Sequence, residues 1–207
     1  MISGTCMNDF EEIKKYLPKY LSPEATESLF QELREFTDKP HDRLYSAILA
    51  GDEGILQGDG LSLMPISNLP DHKVEDGPVM VLSNTCDIDK ENKRHTPPRI
   101  TYCPIIKLSR FIESLEKKSI AKEAIDQTVE TIRLQRSSSI IFLPKGGHLP
   151  EDCLALLDRA TNCDFRSAPQ VKDSPNRLFS LSDFGWYLFL FKISLHFTRM
   201  QEAINRT

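Results

Sequence analysis

Gly77-Pro78-Val79-Met80-Val81-Leu82-Ser83-Asn84-Thr85-Cys86-Asp87 is the stretch from which the rest of the chain can be read. Val79 to Leu82 is a short, unbroken apolar run, the pattern of a buried strand. It stops abruptly at two hydroxyls, an amide, a thiol and a carboxylate. None of these is needed to fill a core, and strand ends and the loops beyond them are where rigid scaffolds display chemistry. The segment therefore predicts a buried strand with a candidate site, Thr85-Cys86-Asp87, at its end.

Working outward, Ile100 to Ile106 (ITYCPII) reads as a second buried strand, reached through the charged loop Asp87 to Arg99. Ser139 to Leu143 reads as another, stopped by Pro144-Lys145-Gly146-Gly147. Cys153 to Leu157 continues the β pattern, with Asp158 to Cys163 as its expected partner. Before the opening stretch, Ile55 to Ile66 suggests short strands, and Asn68 to Gly77 a polar loop with Pro70, Asp71, Asp76 and Gly77 as turn residues. Ser109 to about Gln135 carries helical spacing, as one or two helices inserted between strands.

The first fifty residues read as a helical pair. Asn8 and Glu11 have capping-box spacing, and Ser22-Pro23-Glu24 is a second start signal. At the other end a polar linker from Ser167 to Arg177 leads to Ser182, which can cap a helix from Asp183 to about Ile204. Phe184, Trp186, Tyr187, Leu188, Phe189, Leu190 and Phe191 leave that helix little polar face, so it must be buried on most sides. It serves either as a core helix or as an interface, with Trp186, Phe189 and Leu190 as the candidate contacts.

The 207 residues are 40% apolar and 27% charged, an ordinary globular composition. A net charge of -4 gives no global pull toward nucleic acid or anionic membrane. Cys6, Cys86, Cys103, Cys153 and Cys163 are odd in number and lack CxxC spacing, a poor disulfide framework that fits a reducing cytoplasm. No apolar run reaches the length of a membrane span. A cytoplasmic location and no membrane association are the expectation.

The order of motifs resembles the MazF/PemK (CcdB-like) barrel family over roughly residues 54 to 166. The carrying residues are Gly58-Asp59, Pro78 to Asn84, Tyr102 to Ile105, and Gly147-His148-Leu149-Pro150-Glu151-Asp152 leading to Leu157-Asp158. The resemblance implies a small, strongly bent SH3-like barrel and RNA cleavage in toxin–antitoxin systems. That family's arginine before the strand proline and its hydroxyl after Cys-Pro-Ile have Gly77 and Ile106 in their places here. Neither can stabilise charge on a scissile phosphate. The usual ribonuclease machinery is not visible.

A remodelled site is the other possibility, with Thr85, Cys86, Asp87 and Arg94 as candidate catalytic residues. A thiolate beside cations gains nucleophilicity at neutral pH. A buried, inert Cys86 and a turn-capping Asp87 would account for the same residues. Lys90, Lys93, Arg94 and Arg99 are the candidate nucleic-acid contacts, being basic and close together. Cys86, Asp87, Asp89, His95 and Cys103 lack the tight paired spacing of a zinc site, so no metal is expected. No motif calls for a cofactor.

The sequence thus predicts an α+β protein. Its segments are an N-terminal helical segment (1–53), a MazF/PemK-like barrel with a helical insert at about 109–136 (54–166), and a linker with a C-terminal packing or interface helix (167–207). The expected function is a bacterial toxin–antitoxin or defence-type protein that engages RNA or another nucleic acid and cleaves it with a remodelled site, a possible endoribonuclease-like enzyme. The alternative is a non-catalytic interaction protein that binds a protein partner, or a second copy of itself, through the barrel and the C-terminal helix.

Overall fold

The opening stretch forms the inner end of a strand at the middle of an antiparallel sheet. The computed structural model describes residues 43–68, 70–89, 91–92, 94–172 and 174–198, all within the unit Lys39–Thr207. The expected N-terminal helices fall mostly on residues 1–42, outside the described residues. The strands are β1 (Tyr45–Ser46), β2 (Gly60–Ser67), β3 (Val74–Val81), β4 (Arg99–Lys107), β5 (Ile140–Leu143), β6 (Cys153–Leu156), β7 (Thr161–Asp164) and β8 (Arg177–Leu181). The helices are α1 (Thr85–Ile88), α2 (Leu108–Glu116), α3 (Lys122–Arg133) and α4 (Asp183–Thr198).

The sheet runs β1-β8-β2-β3-β4-β6-β5, with β7 also paired to β4. β4 is its hub. One edge pairs with β3, Val79 opposite Pro104 and Val81 opposite Tyr102. The other edge is shared, Ile105 to Lys107 facing β6 and Arg99 to Tyr102 facing β7. Between β6 and β7 the chain makes a 3-10 turn at Leu157–Arg159. Pro104, which has no N–H to give, stands where that edge changes partner.

Two sequence expectations change here. Asp158 to Cys163 does not pair with β6, because the 3-10 turn carries the chain on along β4. Val74 to Gly77 is strand rather than loop, held by Ser67 opposite Val74 and Met64 opposite Gly77. Its polar composition reflects exposure, since Val74, Glu75 and Asp76 all face solvent. Ser62 and Leu63 bulge opposite Pro78, which accommodates a proline within the ladder.

No ladder joins β1 to β5 among the described residues, so the sheet is open along this path rather than a closed barrel. Its ends meet through the β5–β6 loop instead. Tyr45 Oη donates to the Pro144 carbonyl at 2.8 Å, and His148 N–H donates to the Leu178 carbonyl at 2.7 Å. Gly147 makes that turn in the left-handed region, φ 56°, with the Leu178 carbonyl where a Cβ would sit.

Two apolar clusters fill the interior. The first joins Leu61, Val79, Val81, Ile88, Ile100 and Tyr102, so the core reaches from the sheet to α1. The second joins Leu108 and Ile132 of the helical insert to Phe142, Leu154 and Leu156. The insert is thus two helices, each laying one apolar face on β5 and β6.

Ser182 caps α4, its Oγ accepting from Gly185 N–H at 3.0 Å. Gly185 lets α4 lie directly on the Leu44 carbonyl, 2.2 Å from where a Cβ would stand. Phe184, Tyr187, Leu188 and Phe189 are buried, and Leu195 and Phe197 emerge at the far end. Lys192 is 1% exposed and donates to the Gln135 carbonyl at 2.8 Å and to the Ser137 carbonyl, just beyond α3. It fastens α4 to the insert.

Arg177 and Asp59 form a buried pair, 4% and 1% exposed, with Nε 3.2 Å from Oδ2. Arg177 also donates to the carbonyls of Leu49 at 2.7 Å, Asp52 at 2.9 Å, and Gly54. Asp59 accepts from Leu56 N–H at 3.0 Å. Burial pushes the Asp59 carboxyl above the usual carboxylate range, against the pull of Leu56 N–H and Arg177. Arg177→Ala, which strands that carboxylate and three carbonyls, is expected to lower stability by about 3–5 kcal/mol. Urea unfolding checks it, and the double variant Arg177→Met/Asp59→Asn should lose less than Arg177→Ala alone.

Burial pushes Lys192 down to about 8. The folded chain therefore holds this proton less tightly than the unfolded chain, where lysine titrates near ~10.4. Its contribution to stability is lowest below pH 8 and rises as the pH climbs from there toward ~10.4. Buried thiols at Cys103 and Cys153 titrate above their ordinary values and work in the opposite sense. The difference in unfolding free energy between wild type and Lys192→Met, followed from pH 7 to pH 10, should move in favour of wild type by up to ~1.4 kcal/mol per pH unit.

Candidate functional site

Residues 83 to 92 show how this sequence builds its candidate site. Ser83 Oγ accepts from Thr101 N–H at 2.7 Å and ends the β3–β4 ladder. Asn84 caps α1, its Oδ1 accepting from Cys86 N–H at 2.9 Å. Thr85 Oγ1 accepts from Gln57 N–H at 2.9 Å, and Gln57 Nε2 donates to the Leu82 carbonyl at 3.0 Å. Ile88 drops into the first core cluster at 2% exposure. The single turn is therefore fixed at both ends.

Cys86 and Asp87 point to solvent. Arg94 reaches back to both, its Nη2 2.8 Å from the Cys86 carbonyl and 3.1 Å from Asp87 Oδ1. Asn92 Nδ2 donates to the same carbonyl at 2.9 Å. Thr85, Cys86, Asp87 and Arg94 are thus brought together, but their hydrogen bonds are spent on the chain itself. The guanidinium holds a backbone carbonyl and a carboxylate, and the Thr85 hydroxyl oxygen holds an amide.

Lys90 and Lys93 lie outside the described residues. Arg99 lies on β4 with Nε donating to Asn162 Oδ1 of β7 at 2.6 Å. Close by, Arg166 clamps Asp164 at 3.0 and 2.7 Å and holds that carboxyl down at about 2. Gly77 lies in the β2–β3 ladder, and Ile106 pairs with Leu154 against the second core cluster.

Of the expected interface residues, Phe189 is 1% exposed and seated within its own unit. Trp186 and Leu190 are half-buried. The apolar side chains that α4 shows to solvent are Leu195, 41% exposed, and Phe197, 65% exposed.

A half-open groove of about 820 Å³ lies beside α1. Its walls are residues 52–56, then Thr85, Ile88, Asp89 and Glu91, and residues 165–166 and 168–172. Ile55, Ile88 and Val171 make a floor continuous with the first core cluster, with Phe165 and Ala168 packed against it. The carboxylates of Asp52, Glu53, Asp89 and Glu91 stand on the rim, against the cations Arg166 and Lys172. Such a size and an apolar floor with a polar rim suit a ligand site.

The third wall was hidden in the sequence, inside a stretch that reads as polar linker. Pro169 and Val171 were the only signal there, and a single buried valine carries no period. Among the described residues no three His, Cys, Asp or Glu side chains are placed to hold a metal ion. No helix among them is long and apolar enough to cross a membrane.

Cys86 should react rapidly with a disulfide thiol reagent in the native protein. Burial pushes Cys103 up to about 12 and Cys153 up to about 11, so these two should react only on unfolding. Cys86→Ser is expected to remove one rapidly reacting equivalent and to change stability by less than ~0.5 kcal/mol, as surface substitutions do. Persistence of that equivalent in Cys86→Ser would show that another thiol is the accessible one. In comparison with known proteins, no family model matches this chain and no curated protein matches it.

Proposed function

We propose that this protein is a partner-binding module of the toxin–antitoxin or defence type, with a MazF/PemK-like sheet as scaffold and the groove beside α1 as its working surface. The observation that carries the binding role is the groove's apolar floor, built on core residues that the sheet holds rigid. The biological setting rests on the resemblance in motif order alone. Against phosphodiester chemistry, the groove rim carries four carboxylates and two cations. An acid-rich rim repels a phosphate backbone.

Nucleic-acid cleavage by a remodelled site is the second reading. What favours it is the exposed Cys86 and Asp87 with Arg94 reaching both residues. The experiment that separates the readings is expression of wild type and of Cys86→Ser/Asp87→Ala in one bacterial host, following growth and total RNA together. The binding module predicts intact RNA with both proteins. Growth arrest with RNA cleavage by wild type, lost in the double variant, would overturn it in favour of the nuclease.

A further inference from the structure

The groove's floor and rim together specify a kind of partner. Leu56, Phe165, Ala168 and Pro169, all half-buried, offer apolar surface over the buried Ile55, Ile88 and Val171. Above it, Glu53 is paired with Lys172 and Arg166 is already clamped on Asp164. No ion pair joins Asp52, Asp89 or Glu91 to a cation among the described residues. Their hydrogen bonds include short-range ones to the backbone, Asp52 Oδ1 accepting from Gly54 N–H at 2.7 Å and Asp89 Oδ1 from Glu91 N–H at 2.9 Å. The rim therefore keeps negative charge beside apolar surface.

We propose that the groove takes a basic segment of a partner polypeptide, with a lysine or arginine set beside an apolar side chain. This rests on the groove being the working surface, as proposed above. The apolar side chain would cover Leu56, Phe165, Ala168 and Pro169, and the cation would lie between Asp52 on one wall and Asp89 and Glu91 on another. A long basic side chain suits such a place, because its methylene stem covers apolar surface while its charged head stays at the rim. Opposed charges at a solvent-exposed rim chiefly speed encounter and set partner choice, while the covered apolar floor supplies affinity.

The test uses the full chain against a displayed library of random short peptides, with binding of the enriched peptides then measured by fluorescence anisotropy. Three variants accompany wild type. Asp89→Lys/Glu91→Lys reverses the rim charge, Gln170→Trp obstructs the groove, and Glu116→Lys/Asp126→Lys makes the same charge change on α2 and α3. Asp89, Glu91, Gln170, Glu116 and Asp126 are all exposed, so each variant should fold, which circular dichroism checks.

The proposal expects peptides enriched in lysine or arginine next to an apolar residue. Their binding should weaken about tenfold or more in the rim and obstructing variants and stay within about twofold in the α2/α3 control. Equal weakening in that control would reduce the effect to net charge and overturn the proposal. Neutral or acidic peptides that still depend on Gln170 would overturn the partner class while leaving the groove reading in place. Enrichment of no groove-dependent peptide would overturn both. Oligouridylate binding blocked by Gln170→Trp would move the groove to nucleic acid.

Discussion

The buried pair of Arg177 and Asp59 fastens the segment of residues 49–54 to the sheet where β8 lies beside β2. Arg177 is on β8 and Asp59 immediately precedes β2, and these strands are neighbours in the sheet. From that position one guanidinium holds the carbonyls of Leu49, Asp52 and Gly54. A loop with no ladder of its own becomes a fixed wall. Burying two charges is costly, and the three carbonyls on the guanidinium and the Leu56 N–H on the carboxylate offset that cost. The wall it fixes is one side of the groove.

The groove is consequently a product of three distant segments. Residues 52–56 are set by Arg177, α1 is set by Asn84, Gln57 and the burial of Ile88, and residues 165–172 follow the end of β7. Ile55, Ile88 and Val171 belong to the same cluster as Val79 and Val81. Rigidity at the site is thus inherited from the sheet core. α4 is fastened by a different device, Lys192 on the carbonyls beyond α3. A lysine in a helix otherwise apolar on most sides is there for those two carbonyls.

The Thr85-Cys86-Asp87 cluster shows how the same residues serve structure and display at once. Asn84 and Thr85 close a turn, whereas Cys86 and Asp87 are left in solvent with Arg94 folded back onto the Cys86 carbonyl and the Asp87 carboxylate. Residue types alone could not divide these roles. Hydroxyl, amide and carboxylate groups satisfy backbone donors as readily as they bind ligands. Which of them is free depends on which amides lie nearby, and Gln57 comes from another part of the chain.

By itself the sequence determined the strands Val79 to Val81 and Ile100 to Ile106, the helical insert, and the capped apolar helix at Ser182. These rest on local period and capping, which a short window contains. It also marked the end of β3 as a place of interest. The tertiary structure alone decided that β7 continues along β4, that Val74 to Gly77 lengthens a hairpin, and that β1 and β5 meet through a loop rather than a ladder. It alone decided that residues 165–172 face α1 across a groove. Those outcomes depend on contacts between residues far apart in sequence, such as Arg177 with Asp59, and no local pattern of side chains encodes which distant partner a strand, carboxylate or carbonyl will find.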